Sequence, residues 1–152
     1  MHGITLDGSG VDDVTIYTDA DFANCVDDCR SYCGYITTFA GNVLSWCSKK
    51  QQTVSTSITE AEYRALLNLP TSRKFSINVD NQSAPALATN PIFQQRTKHI
   101  DITYHWLREI YDSGQISIMY IPTSKMKADM CTKYLGRKKH QEIIADLKMP
   151  RR

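Results

Sequence analysis

Four acidic residues from distant parts of the sequence have positions from which they could form one site. Runs of β-branched and aromatic residues predict strands that end at Asp19 and Asp80, and a third strand ends shortly before Asp129. Glu62 lies on a predicted helix. The carboxyl ends of parallel strands meet at one edge of an α/β sheet, where such sheets bind ligands. Because clustered carboxylates repel one another, these four acids predict hard divalent cations such as Mg²⁺. Two ions about 4 Å apart would stabilise the attacking and leaving oxygens of a phosphodiester displacement.

Each of these acids also has a plainer interpretation. An aspartate at the end of a strand is equally well explained as a turn former or a helix cap. Ser57 and Glu60 have the spacing of a capping box, in which each side chain bonds the backbone N–H of the other residue. Glu62, by contrast, lies on the same side of the predicted helix as Leu66 and Leu69. A carboxylate on that inward side is costly unless another group offsets its charge.

Five strands and several helices would position these residues. We predict strands at 14–19, 34–39, 43–48, 75–79 and 116–121, with a tight turn at 40–42 that makes a hairpin. Helical spacing predicts helices at 57–69, 82–89 and about 100–111, and a last helix after Gly136. Pro70 ends the first of these helices. The hairpin favours antiparallel pairing early in the chain and the later helices favour parallel pairing, so we expect one α/β domain with a mixed sheet.

Composition is typical of an ordinary globular domain. The chain has 152 residues, of which 41% are hydrophobic and 22% charged, and its net charge is +2. We find no apolar run of the roughly 20 residues needed to span a bilayer, and no signal-peptide core at the N-terminus. No Lys or Arg precedes Arg30, and the basic residues that follow are clustered, as in Lys49-Lys50 and 137–139. Such clusters suit a phosphate backbone, although a solvated basic face has the same composition.

The five cysteines are an odd number, so a complete set of disulfides within the chain is excluded. Cys25, Cys29 and Cys33 are spaced four residues apart, but the sequence has no paired C-x-x-C motif and no His at zinc-like spacing. We therefore expect free thiols in a reducing compartment.

Five short motifs occur in an order that resembles a known family. Together they are similar to the ribonuclease H domain at the end of copia-type LTR retrotransposon polyproteins, and the match runs from about residue 16 to residue 149. Gly34-Tyr35 and the segment 45–51 fit the same pattern. The five motifs are Tyr17-Thr18-Asp19-Ala20-Asp21, Thr59-Glu60-Ala61-Glu62-Tyr63, Asp80-Asn81-Gln82-Ser83-Ala84, Arg96-Thr97-Lys98-His99-Ile100-Asp101 and Ala128-Asp129-Met130-Cys131-Thr132-Lys133.

The resemblance implies a fold, an activity and a set of metal ligands. The fold is a ribonuclease H-like five-stranded mixed sheet flanked by helices, in which strands 1, 2 and 3 are antiparallel and strands 1, 4 and 5 are parallel. The activity is cleavage of the RNA strand of RNA–DNA hybrids with two Mg²⁺ or Mn²⁺ ions. By this resemblance Asp19 bridges the two ions, Glu62 and Asp80 hold the ion near the leaving oxygen, and Asp129 holds the ion that activates water.

The resemblance and the basic clusters also predict nucleic-acid contacts. Gln82 matches a position that contacts nucleic acid in related enzymes, and we expect this contact in the minor groove with its 2′-hydroxyls. Related cellular enzymes often have a mobile His just before the last acid. Segment 123–127 contains no His, so that role is vacant or falls to a lysine. Trp46 and Trp106 are expected in the core. The residues we expect to contact nucleic acid are Gln82, Ser83, Lys49, Lys50, Lys98 and His99, with Lys98 and His99 equally well explained as helix caps.

One departure from the family leaves a second function open. Copia-type relatives usually have a longer helix after the Glu-Ala-Glu-Tyr motif and a further segment before the Asp-Asn-Gln strand, whereas here the segment 67–74 replaces both. The alternative to an active ribonuclease is therefore a catalytically weak or inactive domain that binds nucleic acid or a protein partner.

These predictions define the expected organisation and partners. We expect a flexible lead-in at 1–13, the ribonuclease H-like domain at 14–149 and a basic tail at 150–152. The expected partners are an RNA–DNA hybrid, a fused or associated reverse transcriptase and a second copy of the chain in a homodimer, with no membrane. The expected location is intracellular, either cytoplasmic within a retroelement particle or nuclear.

Overall fold

The computed structural model describes residues 4, 13–22, 28–52, 74–82 and 108–149. These residues form a five-stranded sheet in the order β3-β2-β1-β4-β5. Pairing is antiparallel between β1 and β2 and between β2 and β3, and parallel between β1 and β4 and between β4 and β5. The predicted mixed sheet is therefore confirmed. Its strands are β1 Val14–Asp21, β2 Tyr32–Phe39, β3 Asn42–Lys50, β4 Phe75–Val79 and β5 Ile116–Tyr120.

The hairpin between β2 and β3 is tighter than predicted. Ala40 and Gly41 both have positive φ, at 49° and 76°, as a two-residue hairpin turn that matches the strand twist requires. Asn42 already belongs to β3, and its side-chain amide donates a hydrogen bond to the Ala40 carbonyl at 3.0 Å. A bulge between Thr37 and Thr38 shifts the register. Turn and bulge together fix which side chains of the outer strand β3 lie on which face.

Helical segments follow the last strand. A 3-10 turn at Thr123–Lys125 leads to the short helix α1, Asp129–Thr132, and then to α2, Arg137–Asp146. The predicted last helix after Gly136 is thus present as α2. Residues 108–112 are also helical and end the segment predicted at 100–111. The predicted helices at 57–69 and 82–89 lie outside the described residues, apart from Gln82. Among the helices that the structure describes, none is both long and apolar enough to cross a membrane.

Apolar side chains form a cluster on each face of the sheet. One cluster joins β1, β4 and β5 through Ile16, Ile77 and Ile116. The other joins β2 and β3 to α2 through Ile36 and Ile143. Ile36 pairs with the residue next to Ile16, so alternation along the strands places the two on opposite faces. The second cluster packs α2 against the sheet. It thereby also holds the segment between α1 and α2 near the sheet. Ile4, in the predicted lead-in, packs against this second cluster.

The expectation that Trp46 is a core residue is wrong. Its side chain is 61% exposed and borders an apolar groove that is also lined by Met130 and Met149. Trp46 lies on β3, the outer strand, where the cover provided by α1 and α2 ends. Aromatic strand residues are usually half-buried, but that preference does not tell a central strand from an edge strand. Trp106 lies outside the described residues.

Candidate metal centre

The sheet brings three of the four predicted acids together. Tyr17 of β1 pairs with Asn78 of parallel β4, so Asp19 and Asp80, two residues further along each strand, leave the same edge. Asp129 begins α1 at that edge. Carboxylate oxygens of Asp19, Asp80 and Asp129 all lie within 4.8 Å of one another. Asp19 and Asp129 are 0% exposed, whereas Asp80 is half-buried. Glu62 lies outside the described residues, so its place in the cluster stays a prediction.

Gly34 allows α1 to approach the sheet closely. It pairs with Asp19 across β1 and β2. A Cβ atom at this position would lie 2.5 Å from Cys131 Cβ and 3.0 Å from Thr132 Cγ2, which is closer than side chains pack. The missing side chain therefore lets α1 rest on β2, with Asp129 and Thr132 beside Asp19. Sequence reasoning included Gly34 in the family pattern but gave it no role.

Three residues after Asp129 surround the buried acids. Thr132 and Lys133 belong to one of the five motifs but were given no role there, and Lys139 was not predicted. The Thr132 hydroxyl donates a hydrogen bond to Asp19 Oδ2. Lys133 Nζ lies 3.0 Å from Asp19 Oδ1 and 3.0 Å from Asp129 Oδ1. Lys139 of α2 contacts Asp129 Oδ2 and donates to the Thr123 carbonyl at 3.2 Å. One signal was available: Lys133 follows Asp129 by four residues, which is one helical turn.

Burial and charge act in opposite directions on these groups. Burial raises the pKa of Asp19 above its ordinary value, and the charge of Asp129 adds to this, while the bonds from Thr132 and Lys133 oppose it. Burial alone would lower the pKa of Lys133, but the two carboxylates outweigh it and raise that pKa above the usual range. Lys133 is therefore a charged ammonium group at neutral pH, held by the acids that it neutralises.

A cleft of about 590 Å³ opens beside the acids. Asp80, Gln82 and Lys133 contribute to its walls, as do the rings of Phe22 and Tyr120. Gln82, predicted to contact nucleic acid, thus shares a cleft with one of the acids. The walls of the cleft thus combine carboxylates, hydrogen-bonding amides and aromatic side chains.

Lys49 and Lys50, which are also predicted to contact nucleic acid, lie on β3 and not in the walls of the cleft. Lys49 is exposed on β3, two strands from β1, and the pairing Lys49–Cys33–Ala20 puts it about 10 Å from the strand that carries Asp19. Lys50 forms an ion pair with Asp28 at 2.8 Å. The remaining site predictions lie outside the described residues, namely Ser57, Glu60, Ser83, Lys98 and His99.

The donor set fits a hard divalent cation. Asp19, Asp80 and Asp129 supply carboxylate oxygens, the ligands that Mg²⁺ and Mn²⁺ prefer, and these oxygens converge within 4.8 Å. Two of the acids, Asp19 and Asp129, are fully buried and form ion pairs with two lysine ammonium groups. The cluster is therefore a place where cations are stabilised. The three aspartates would hold the ion, and its charge would offset theirs.

Comparison with known proteins agrees with this geometry. No protein-family model matches the chain. It is 40% identical over 140 residues to the retrovirus-related Pol polyprotein from transposon TNT 1-94 of Nicotiana tabacum, covering 82% of this chain and 10% of that protein. It is 34% identical over 166 residues to the corresponding polyprotein from transposon RE1 of Arabidopsis thaliana, covering 99% of this chain and 11% of that protein. The chain thus spans about a tenth of the length of these relatives.

Solved structures with the same fold are ribonuclease H domains. LC11-RNase H1, isolated from compost, superposes with a TM-score of 0.62 at 17% identity, covering 80% of this chain and 94% of that one. RNase H1 from Halobacterium salinarum NRC-1 superposes with a TM-score of 0.61 at 16% identity, covering 78% of this chain and 93% of that one. The resemblance predicted from the five motifs is therefore confirmed.

Proposed function

We propose that this chain, a homologue of the retrovirus-related Pol polyproteins of plant transposons with the fold of a ribonuclease H domain, is a metal-dependent endoribonuclease. It hydrolyses the RNA strand of RNA–DNA hybrids. The observation that carries this proposal is the convergence of Asp19, Asp80 and Asp129 at the carboxyl edge of the sheet, beside a cleft.

The residues at this edge have separable tasks in the proposed reaction. Asp19 and Asp129 are buried and fixed by hydrogen bonds, so they define the position of a cation. Asp80 is half-buried and lines the cleft, so it would ligate the cation from the side on which the substrate binds. The three aspartates would hold divalent ions there, which would supply charge stabilisation for the scissile phosphate and would make an attacking water more acidic. By the family resemblance, two Mg²⁺ or Mn²⁺ ions would be held there.

The comparisons and the charge pattern support the choice of substrate. One neighbour with this fold, LC11-RNase H1, has been crystallised in complex with an RNA/DNA hybrid, with a TM-score of 0.59 and 17% identity to this chain. Gln82 lines the cleft, and in the proposed complex it would contact the minor groove, where 2′-hydroxyls distinguish an RNA strand from DNA. Exposed Lys49 supplies positive charge for a phosphate backbone at a distance from the acids.

A second candidate function is favoured by the two lysines at the acids. Lys133 and Lys139 neutralise much of the charge of Asp19 and Asp129 without any metal. A domain that binds nucleic acid or a protein partner without cleaving would be stabilised by the same contacts. This candidate predicts a folded chain that binds an RNA–DNA hybrid and shows no metal-dependent hydrolysis.

The chain's setting is part of the proposal. Because the Pol polyproteins that it resembles are about ten times longer, we propose that it works fused to, or associated with, a reverse transcriptase. Its location would then be intracellular, in a cytoplasmic retroelement particle or in the nucleus. The homodimer stays a prediction.

Cleavage of a labelled RNA–DNA hybrid in Mg²⁺ or Mn²⁺ tests the proposal. We expect Asp80→Asn to reduce the cleavage rate by at least about 100-fold, because it replaces a charged metal ligand. Asp112→Asn is the matched control: this exposed aspartate pairs only weakly with Arg108, at 3.7 Å, and the variant should cleave normally. Single-stranded RNA, double-stranded RNA and DNA run in parallel define the substrate. Absent metal-dependent cleavage, or equal cleavage by Asp80→Asn, would contradict the proposal.

A further inference from the structure

We propose that Lys133 and Lys139 are resident counter-ions of the acid cluster that divalent metal ions displace, so that the two lysines set the metal concentration at which the site fills. This inference rests on the proposed function, because it concerns the same metal centre. It goes further in assigning a regulatory role to two residues outside the predicted ligand set.

The buried acids have no carboxylate oxygen that is left without a contact. Lys133 Nζ lies 3.0 Å from one oxygen of Asp19 and 3.0 Å from one oxygen of Asp129. Thr132 bonds the other oxygen of Asp19, and Lys139 contacts the other oxygen of Asp129. A cation ligated by Asp19 and Asp129 must therefore share, or take over, an oxygen that a lysine now contacts.

Sharing is unfavourable because both occupants are positively charged. A Mg²⁺ ion lies about 2.1 Å from its oxygen ligands. With an ammonium nitrogen 3.0 Å from the same Asp129 oxygen, the two cations would be only a few ångströms apart. Repulsion at that distance is substantial beside carboxylates that are fully buried. Exchange of the lysine for the metal is therefore favoured over joint occupancy.

Both lysine side chains have a route away from the acids. Their side chains are 33% and 32% exposed, so each has a route to solvent. A lysine side chain is a flexible four-carbon stem with a strongly hydrated head, which regains solvation as it turns outward. Lys133 already lines the cleft, and Lys139 has a second partner in the Thr123 carbonyl. Neither is among the residues of the apolar core clusters.

A purely structural role for Lys133 predicts the opposite effect on metal binding. If Lys133 only held the acids in place, its removal would let Asp19 and Asp129 move apart, and metal would bind more weakly. If Lys133 competes with the metal, its removal makes metal bind more tightly. The sign of the change therefore separates the two roles.

The test is calorimetric titration of Mn²⁺ into the metal-free protein and its variants at fixed ionic strength. We expect Lys133→Met to lower the apparent Kd for Mn²⁺ by about fivefold or more, the range of coupling between linked sites. Lys139→Met should lower it less, because Lys139 contacts one acid rather than two. Lys138→Met, at an exposed position of α2, removes the same charge and should leave the Kd unchanged.

An equal or higher Kd in Lys133→Met would overturn the exchange. If neither the wild-type protein nor any variant binds Mn²⁺, both the exchange and the metal centre of the proposed function are wrong. If Mn²⁺ binds and Lys133→Met tightens it but the wild type does not cleave hybrids, the exchange holds and the proposed function fails.

A second measurement covers the case in which Lys133→Met does not fold. Carbon-13 NMR of the lysine ε-methylene groups in the wild-type protein follows the exchange directly as Mg²⁺ is added. We expect the Lys133 and Lys139 signals to shift and the Lys138 signal to stay in place. A Lys133 signal that does not move at saturating Mg²⁺ would overturn the proposal.

Discussion

The two halves of β1 each hold a fully buried side chain, and these two side chains are stabilised by opposite kinds of interaction. Ile16 is 1% exposed and packs in an apolar cluster with Ile77 of β4. Asp19, three residues further along, is 0% exposed and is surrounded by Thr132, Lys133 and a second buried acid. Burial of the isoleucine is favourable by itself, whereas burial of the carboxylate costs free energy unless hydrogen bonds and counter-charges offset it. One strand thus joins the part that stabilises the fold to the part available for chemistry.

The largest predicted effect is a loss of stability on disruption of the apolar cluster around Ile16. Ile77→Ala removes a side chain that is 1% exposed in the centre of the cluster, and we expect it to lower the free energy of unfolding by about 2–5 kcal/mol. Urea denaturation measures the loss. Leu44→Ala is the control, because this side chain is 55% exposed and its removal should change stability by less than about 0.5 kcal/mol. Equal losses in the two variants would show that the cluster does not stabilise the sheet.

The next effect is stabilisation by a metal ion bound at Asp19 and the neighbouring acids. Mn²⁺ at 100 times its Kd should stabilise the wild-type protein by about 2.7 kcal/mol, because only the folded chain brings the acids together. Asp19→Asn should abolish this gain, since it removes a charged ligand from the centre of the cluster. Thermal unfolding with and without Mn²⁺ measures both. A full Mn²⁺ gain in Asp19→Asn would exclude Asp19 from the metal centre.

A smaller effect should come from the contact between α1 and the sheet. Gly34→Ala places a methyl group 2.5 Å from Cys131 Cβ, so α1 must move away from β2. We expect a loss of about 1–3 kcal/mol in unfolding free energy, the usual cost of overpacking, and slower hybrid cleavage as Asp129 shifts from Asp19. Gly136→Ala is the control, because a Cβ there meets nothing within 4 Å. Retained stability and cleavage in Gly34→Ala would mean that α1 does not need its close contact with β2 at Gly34.

The smallest effect is a difference in thiol reactivity. Burial raises the pKa of the Cys131 thiol to about 11, and the nearby Cys47 and Asp19 add to this. At pH 8 Cys131 is therefore protonated and should react slowly with iodoacetamide, while the exposed Cys29 should react faster than Cys131. Mass spectrometry of the alkylated peptides distinguishes the two sites. Because folding raises this pKa from 9.0, the contribution of Cys131 to stability is complete below pH 9 and is lost as the pH rises towards 11. Equal alkylation rates at pH 8 would contradict this burial.

Most of the sheet could be predicted from the sequence, because the alternation of side chains and the hairpin turn are local signals. The strand Phe75–Val79 was predicted to the residue, and the acids at strand ends follow from the parallel pairing of β1 and β4. The counter-ions could not be predicted in the same way. Lys139 lies ten residues after Asp129 on a different helix, so their contact depends on how α2 packs, which no local pattern encodes. Trp46 was misplaced for a similar reason, since its exposure depends on where the helical cover ends.

Anomalous X-ray diffraction from crystals soaked in Mn²⁺ tests the central claim most directly, because it locates the ion itself. The account predicts an anomalous peak among the carboxylates of Asp19, Asp80 and Asp129, with the Lys133 ammonium turned away from them. No peak at this edge at saturating Mn²⁺, or a peak only elsewhere on the chain, would contradict the claim that these acids form a metal centre.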